Sequence, residues 1–401
     1  MARKRTATRM LAKQAGSERK QGEVESKFGE IVSLSGRKEE PVGLGSALGP
    51  LNWTEGGGDL MSDSPSGDVV EKVLFSGKVL ATVRWLESGS SAVVGSSEGE
   101  PGEDFVRVYE DGNNGIDLKH ECVHPGKVFD LEVTIGDRNS VLCASSDGMV
   151  RLYLNSKSAM ERVGGFPQGE AAAGVAALSE RTAAGAGSEG SIAVMDIETG
   201  VASAERAGGD GIGIRAASRL TSDDFATAGI SGFVSLWDCR QGLSAPSQRL
   251  RYPRSRAALL CIDADRAQTH YVFCGTDMGE VVCWDRRKEE FPVSSTAPHN
   301  GQVWDVRVMN SRPGMLLSCG EDGSVLSWDF LQAAQRGVGA EEYWTAEMTA
   351  AELKQLALGK TLGVNAVDVH AKGDLVAYVT DSSTLCFTSL TNSERLAPIE
   401  E

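Results

Sequence analysis

The sequence contains no CxxC cysteine pair, no histidines at zinc-ligand spacing and no long apolar run. Its eight cysteines are scattered, which is typical of reduced, buried thiols and argues against a structural metal. No uncharged apolar stretch reaches the roughly 18 residues of a membrane span, and the first residues lack the apolar segment of a secretory signal. Walker, G-x-S-x-G and H-E-x-x-H motifs are also missing. We therefore expect neither a cofactor nor a metal.

Proline is scarce as well, with 12 residues, whereas glycine is abundant, with 47. The glycines follow no three-residue period, so a collagen-like chain is excluded. Hydrophobic residues make up 41% of the chain and charged residues 24%, which is enough to bury a core. The composition predicts a globular fold with many tight turns, because glycine adopts positive φ at little cost.

Acidic residues outnumber basic ones, 56 to 40. The net charge of −16 argues against a protein that binds nucleic acid over most of its surface. The first twenty residues are the opposite, with seven basic residues and one acidic residue. This segment fits a solvated tail, a nuclear-import or nucleic-acid-contacting cluster, or an organellar transit peptide. A Gly/Ser/Pro-rich stretch follows over residues 42–67. We predict a flexible extension over residues 1–68 and a folded domain over 69–401.

The folded domain contains a repeat in which a strand, a glycine-bearing turn and a second strand end in Trp-Asp. Three copies are complete, with the pairs Trp237 and Asp238, Trp284 and Asp285, and Trp328 and Asp329. Four weaker copies carry Tyr109, Tyr153, Met195 and Phe387 at the tryptophan position. The first six copies are spaced by 42 to 47 residues. This period matches the WD40 blade of about 40–45 residues and predicts an all-β, seven-bladed WD40-type propeller.

Two further features concern the last blades. The strand-like run 69–75 precedes the first blade, and we expect it to supply the closing strand of the last blade. An insertion over 331–361 separates blades 6 and 7 and is predicted to contain a helix over 340–358, with glutamates early and a lysine late. The helix either packs on its own propeller or binds a partner. Its candidate contact residues are Tyr343, Trp344, Met348, Leu353 and Leu356.

The sixth copy contains the residue types of the WD40 hydrogen-bond tetrad: His299, Ser318, Asp322 and Trp328. We expect a structural role for this set, because buried polar groups need partners. A G-x-G-x-x-G sequence over residues 185–190 is interpreted as a blade turn, since a strand and not a helix follows it. An enzyme would need carboxylates or histidines converging on the central channel. The copies show none at matching positions, so no enzyme is predicted.

The segment 246–330 closely resembles the family of 43-kilodalton WD-repeat nucleoporins of the Y-shaped outer-ring complex. The resemblance is carried by Gly275-Thr276-Asp277-Met278-Gly279, Cys283-Trp284-Asp285-Arg286-Arg287, Val303-Trp304-Asp305-Val306 and Ser318-Cys319-Gly320-Glu321-Asp322-Gly323. Weaker matches extend it over about residues 69–390. The segment 1–68 departs from the family pattern, so nothing is transferred to it.

The resemblance implies a non-enzymatic scaffold subunit of the nuclear pore outer ring that supports nucleocytoplasmic transport and mRNA export. It implies location at the nuclear envelope and contact with other Y-complex nucleoporins, including an α-solenoid short-arm subunit. No direct nucleic-acid contact by the propeller and no membrane span are expected. The alternative is a WD40 adaptor of a ubiquitin-ligase or chromatin complex.

Overall fold

The computed structural model describes residues 71–86, 90–98, 100, 102–136, 139–206, 210–253, 257–288, 291–331, 344, 351–357 and 362–390. These residues form seven four-stranded antiparallel sheets. The chain divides into Met1–Pro65, which lies outside the described residues, and Ser66–Glu401. Each inner strand packs beside the inner strands of the neighbouring sheets, and the last lies beside the first. The domain is therefore a seven-bladed β-propeller, as the repeat period predicts.

The first three blades are built from consecutive strands. Blade 1 comprises β2 (Leu80–Trp85), β3 (Ser91–Ser96), β4 (Asp104–Gly112) and β5 (Gly115–His124). Blade 2 comprises β6 (Val128–Val133), β7 (Ser140–Ser145), β8 (Met149–Asn155) and β9 (Met160–Pro167). Blade 3 comprises β10 (Ala172–Ala177), β11 (Thr182–Gly187), β12 (Ile192–Asp196) and β13 (Ala202–Arg206).

Blades 4 to 6 repeat this arrangement. Blade 4 comprises β14 (Ile214–Arg219), β15 (Asp224–Gly229), β16 (Phe233–Asp238) and β17 (Gln248–Arg251), with a 3-10 turn at Cys239–Gln241. Blade 5 comprises β18 (Leu259–Ala264), β19 (Tyr271–Thr276), β20 (Val281–Asp285) and β21 (Ser294–Thr296). Blade 6 comprises β22 (Val303–Val308), β23 (Met315–Gly320), β24 (Val325–Asp329) and β25 (Glu352–Ala357).

Blade 7 joins the two ends of the propeller. Its inner three strands are β26 (Val364–Val369), β27 (Leu375–Thr380) and β28 (Thr384–Ser389). Its outer strand is β1 (Lys72–Phe75), which pairs antiparallel with β28. The Lys72 ammonium also contacts the Asp111 carboxylate of blade 1 at 2.5 Å. This pairing closes the ring and covers the edge that β28 would otherwise expose.

The helix predicted over residues 340–358 is wrong in its C-terminal part, because Glu352–Ala357 is the outer strand β25 of blade 6. Leu353 pairs with Trp328 of β24. The segment is rich in helix-forming residues, but β24 presents an edge of unpaired backbone groups, and pairing with that edge overrides the local propensity. Of the other residues in the predicted helix, Trp344 and residue 351 are described and 340–343, 345–350 and 358 lie outside the described residues.

The core consists of apolar clusters that lie between adjacent blades. Trp237, Trp284 and Trp328 are fully buried in three of these clusters. In the first six blades the residue at the tryptophan position pairs with the second residue of the second strand. In blade 7 that partner is Thr388, whereas Phe387 faces blade 1. The seventh copy is therefore misaligned by one residue in the sequence comparison, because strand register is set by pairing and not by spacing.

Tight turns between the second and third strands explain part of the glycine excess. Five of these turns contain a glycine with φ between 73° and 100°: Gly148, Gly190, Gly232, Gly279 and Gly323. At Gly279 an added Cβ would lie 2.2 Å from the carbonyl oxygen of His299. Glycine is required there both for the positive φ and for the close approach of the next blade's entry loop.

Candidate functional site

The residues of the predicted tetrad form one hydrogen-bonded chain in blade 6. The Trp328 indole donates to Ser318 Oγ at 3.0 Å, and Ser318 Oγ lies 2.8 Å from His299 Nε2. His299 Nδ1 lies 3.2 Å from the Asp322 carboxylate. This series of hydrogen bonds runs from the blade interior to the turn before β24. It links the entry loop to the second and third strands.

The tetrad resembles a catalytic triad in composition, but its serine is not accessible to a substrate. Ser318 is fully buried and its Oγ is already engaged by both His299 and Trp328. Burial alone would raise the pKa of Asp322, but hydrogen bonds from His299 and Ser324 hold that pKa below its usual range. A nucleophile without solvent access cannot attack a substrate, so the arrangement satisfies buried polar groups and fixes the blade.

Two other blades contain reduced versions of the same network. Blade 2 has His124, Cys143, Asp147 and Tyr153 at the same relative positions, and His124 Nδ1 lies 2.5 Å from the Tyr153 hydroxyl. Burial lowers the pKa of His124 to about 4, so its ring is neutral at physiological pH. In blade 4 the Trp237 indole donates to Thr227 Oγ1 at 3.0 Å. These variants could have been identified in the sequence, because their residues have the same spacing from the tryptophan position as the members of the blade 6 tetrad.

The central channel is shaped by a β-bulge in the inner strand of every blade. Each bulge separates the first paired residue from the third, as between Val128 and Asp130 or between Val303 and Asp305. The residue skipped by the pairing turns toward one mouth of the channel. This residue is Phe129 in blade 2, with 42% of its surface exposed, and Trp304 in blade 6, with 38% exposed. These exposed aromatics are candidate contact residues that the repeat comparison did not single out.

Four channel-facing aspartates join adjacent blades. Asp130 accepts a hydrogen bond from the Val175 N–H of blade 3 at 3.1 Å. The same link recurs three times, with donors and acceptors in neighbouring blades: Val308 N–H to Asp263 at 2.9 Å, Val367 N–H to Asp305 at 3.3 Å, and Trp85 N–H to Asp368 at 2.7 Å. Each carboxylate therefore satisfies a backbone donor that the bulged sheets leave unpaired.

Arg84 of blade 1 lies at the centre of these carboxylates. Its side chain contacts Asp130 at 3.0 Å and Asp305 at 3.5 Å, which places one cation between blades 1, 2 and 6. Burial raises the pKa of Asp305 to about 7, although the positive charge of Arg84 opposes this shift. Burial likewise raises the pKa of Asp130 and Asp368.

Four carboxylates therefore do converge on the channel, although the comparison of the repeat copies identified none at matching positions. They occur at two different strand positions, with two aspartates at each position. Asp130 and Asp305 follow the bulge directly, whereas Asp263 and Asp368 lie two residues further along their strands. Their hydrogen bonds to the backbone and to Arg84 give these groups a structural task.

Within the described ranges, no three histidine, cysteine, aspartate or glutamate side chains are grouped so as to hold a metal ion. The described part of the chain also has no helix with the length and hydropathy needed to cross a membrane.

Comparison with known proteins finds similarity to Nup43 from two mammals. No protein-family model matches the chain. It is 26% identical to human nucleoporin Nup43 over 289 residues, which is 64% of this chain and 74% of that protein. It is 28% identical to mouse Nup43 over 244 residues, which is 56% of this chain and 63% of that protein. The chain is therefore similar to Nup43 over more than half of its length.

Matches to other proteins are shorter or more distant. Human cytoplasmic dynein 2 intermediate chain 2 is 27% identical over 147 residues, which is 34% of this chain and 26% of that protein. The solved structure described as "Structure of U3-55K" superposes with a TM-score of 0.64 at 12% identity and covers 80% of this chain and 98% of that one. This last likeness supports the fold alone.

The residues proposed for a partner-binding helix have other positions in this propeller. Trp344 is buried against Phe273 and Phe330, and its indole donates to Asp265 at 2.6 Å. Leu356 is buried between blades 6 and 7, and Leu353 is half-buried. Tyr343 and Met348 lie outside the described residues. The described side chains of this set thus pack on the propeller itself.

The three Trp-Asp pairs hold the ends of their third strands. Asp238 and Asp285 each accept hydrogen bonds from the backbone N–H two residues later, and their carboxylates also bind the side chains of Arg240 and Arg287. Asp329 accepts a hydrogen bond from the Leu331 N–H at 3.0 Å. These contacts turn the chain out of the strand.

Proposed function

We propose that this protein is a non-enzymatic scaffold subunit of the nuclear pore outer ring, at the nuclear envelope. The observation that carries the proposal is the similarity to human Nup43 over 64% of the chain, within a propeller closed on itself. Its partners would be other nucleoporins of the Y complex, among them an α-solenoid subunit, and its role would support nucleocytoplasmic transport and mRNA export.

The physical character of the propeller supports a scaffold. Adjacent blades are joined by apolar clusters and by carboxylate-to-backbone hydrogen bonds, so the ring presents its loops on a rigid frame. The tetrad and the channel carboxylates serve the frame itself. A rigid frame lowers the conformational entropy lost when a partner docks.

Imaging of the full-length protein, tagged at its own locus, tests the proposal. We expect a punctate nuclear rim that coincides with known pore markers. A variant lacking residues 2–68 is a matched control, because it shows whether the propeller without the basic segment suffices for rim location. Diffuse nuclear, ciliary or organellar signal from the full-length protein would overturn the proposal.

Affinity purification of the tagged protein gives a second readout. We expect outer-ring nucleoporins in near-equal amounts to the bait after washing at moderate salt. Recovery of ubiquitin-ligase or chromatin subunits in their place would contradict the scaffold role and support the adaptor alternative.

A further inference from the structure

A cavity of about 510 Å³ opens where the inner strands end, at the mouth of the channel opposite the bulges. This volume lies in the range of roughly 300–1,000 Å³ that is typical of small-ligand pockets. Four arginines line it, Arg84, Arg219, Arg266 and Arg307, which belong to blades 1, 4, 5 and 6. Such a group of cations is unexpected in a chain of net charge −16.

The hydrogen-bonding capacity of these arginines is not used up by the protein. The Nε atoms of Arg84, Arg219 and Arg307 are shielded from solvent and have no hydrogen-bond partner among the described residues. Arg84 is 6% exposed. The Arg219 guanidinium has no ion pair within the described ranges, and Arg266 donates to the backbone carbonyl of Arg219, which brings these two side chains together. Arg307 Nε lies 3.6 Å from the Asp305 carboxylate, so Arg219 is the cavity arginine with the least compensated charge.

The acidic residues of the cavity wall do not neutralise this group completely. Asp263 and Asp368 each use one oxygen to accept a backbone N–H of the next blade. Glu132 lies 3.9 Å from Arg266, and burial raises its pKa to about 7. Burial also raises the pKa of Asp263 and Asp368. Burial thus disfavours the negative charges of the wall, whereas the guanidinium groups stay charged.

We propose that this cavity binds a small phosphate-bearing anion through the guanidinium groups of Arg219, Arg266 and Arg307. Guanidinium groups present paired N–H donors that match the oxygens of a phosphate, and three of them from different blades surround one ligand. The proposal goes beyond the scaffold role and does not depend on it. A bound anion would also join blades 4, 5 and 6 from inside the channel.

Calorimetric titration of the full 401-residue chain with pyrophosphate, at ionic strength matched with sodium chloride, tests this site. We expect saturable binding and a rise in melting temperature with pyrophosphate concentration. Arg219→Met should weaken binding by about tenfold or more, because it removes a charge-assisted contact. The same variant should melt higher than the native chain without ligand, because it removes a cation that has no partner. Arg219→Lys should recover part of the affinity.

Arg240→Met is the matched control, because Arg240 is exposed, pairs with Asp238 and lies outside the cavity. It should bind pyrophosphate as the native chain does. If Arg219→Met does not fold, Arg307→Met serves as the second binding variant. No saturable binding, or equal affinity in the native chain and the cavity variant, would overturn the site. Tighter binding of citrate than of pyrophosphate would overturn its assignment to phosphate. If the protein is located at the nuclear rim but does not bind pyrophosphate, the scaffold proposal stands and the anion site is refuted.

Discussion

Replacing Arg84 with methionine should destabilise the propeller strongly at neutral and alkaline pH. The side chain is 7% exposed, contacts two carboxylates at 3.0 and 3.5 Å, and donates to the Val83 carbonyl at 2.7 Å. Methionine has a similar length but no charge, so Asp130 and Asp305 would be left as buried carboxylates without their cation. Removing one partner of a buried ion pair costs about 3–5 kcal/mol. We expect a loss of that size in the free energy of unfolding at pH 8.

The loss should shrink as the pH falls. Asp305 has a folded-state pKa of about 7, above its ordinary value, so it is largely protonated in the folded chain at pH 5.5. Without Arg84 its pKa rises further, so above pH 7 the loss grows by about 1.4 kcal/mol per pH unit until the raised pKa is reached, and Asp305 supplies at most about 2 kcal/mol of the loss at pH 8.5. Below pH 7 the folded native chain and the folded variant both hold the Asp305 proton, so this contribution disappears. The deficit of the variant is therefore largest above pH 7 and smallest near pH 5.

Urea unfolding followed by tryptophan fluorescence at pH 5.5 and pH 8.5 measures this difference. Arg240→Met, the same substitution at an exposed arginine, should leave the midpoint unchanged within error at both values. The double variant Arg84→Met with Asp305→Asn should recover part of the loss at pH 8.5, because the amide oxygen can still accept the Val367 N–H. An equal loss at both pH values, or a loss below about 1 kcal/mol at pH 8.5, would refute the reasoning.

Three further changes test other parts of the frame. Deleting residues 2–76 removes the closing strand and should lower the free energy of unfolding by about 2–4 kcal/mol, because strand pairing is lost. Deleting residues 2–68 leaves that strand in place and should not change it. Equal melting temperatures for the two truncations would contradict closure of blade 7 by β1. Trp328→Phe keeps a ring but removes the donor to Ser318, and urea unfolding should show a loss of about 1–2 kcal/mol. Trp344→Ala empties a buried site and should cost about 3–5 kcal/mol in the same assay, whereas an unchanged midpoint would show that this side chain does not pack on the propeller.

Much of the propeller is visible in the sequence because each blade repeats a local pattern. Trp237, Trp284 and Trp328 mark the third strands at a nearly constant spacing, and a glycine such as Gly232 marks the preceding turn. Period, alternation and turn chemistry are local properties, so they can be read without knowledge of the fold.

The helix predicted over residues 340–358 shows where local evidence fails. The stretch that contains Leu353 and Leu356 has good helix propensity, but the edge of β24 recruits it as a strand. The misalignment of Phe387 has the same origin. Its neighbour Thr388 occupies the equivalent place, because pairing with β27 sets the register of the seventh blade.

The network around Arg84 could not be assembled from the sequence. Asp130 lies 46 residues from Arg84, and Asp305 lies 221 residues from it. No spacing rule relates them, because they meet only after seven sheets close around an axis. The cavity arginines Arg219 and Arg266 likewise come together only at the end of the closed channel.

The sequence by itself determined the repeating unit and the members of the blade 6 tetrad, because both depend on contacts within one blade of some 40 residues, and the number of copies gave the number of blades. The tertiary structure decided which strand completes blade 6, how the carboxylates link neighbouring blades, and where the arginines gather. These features depend on closure of the ring, which brings distant residues to one axis. Burial there raises the pKa of Asp305 to about 7 and leaves the Arg219 guanidinium without an ion pair among the described residues.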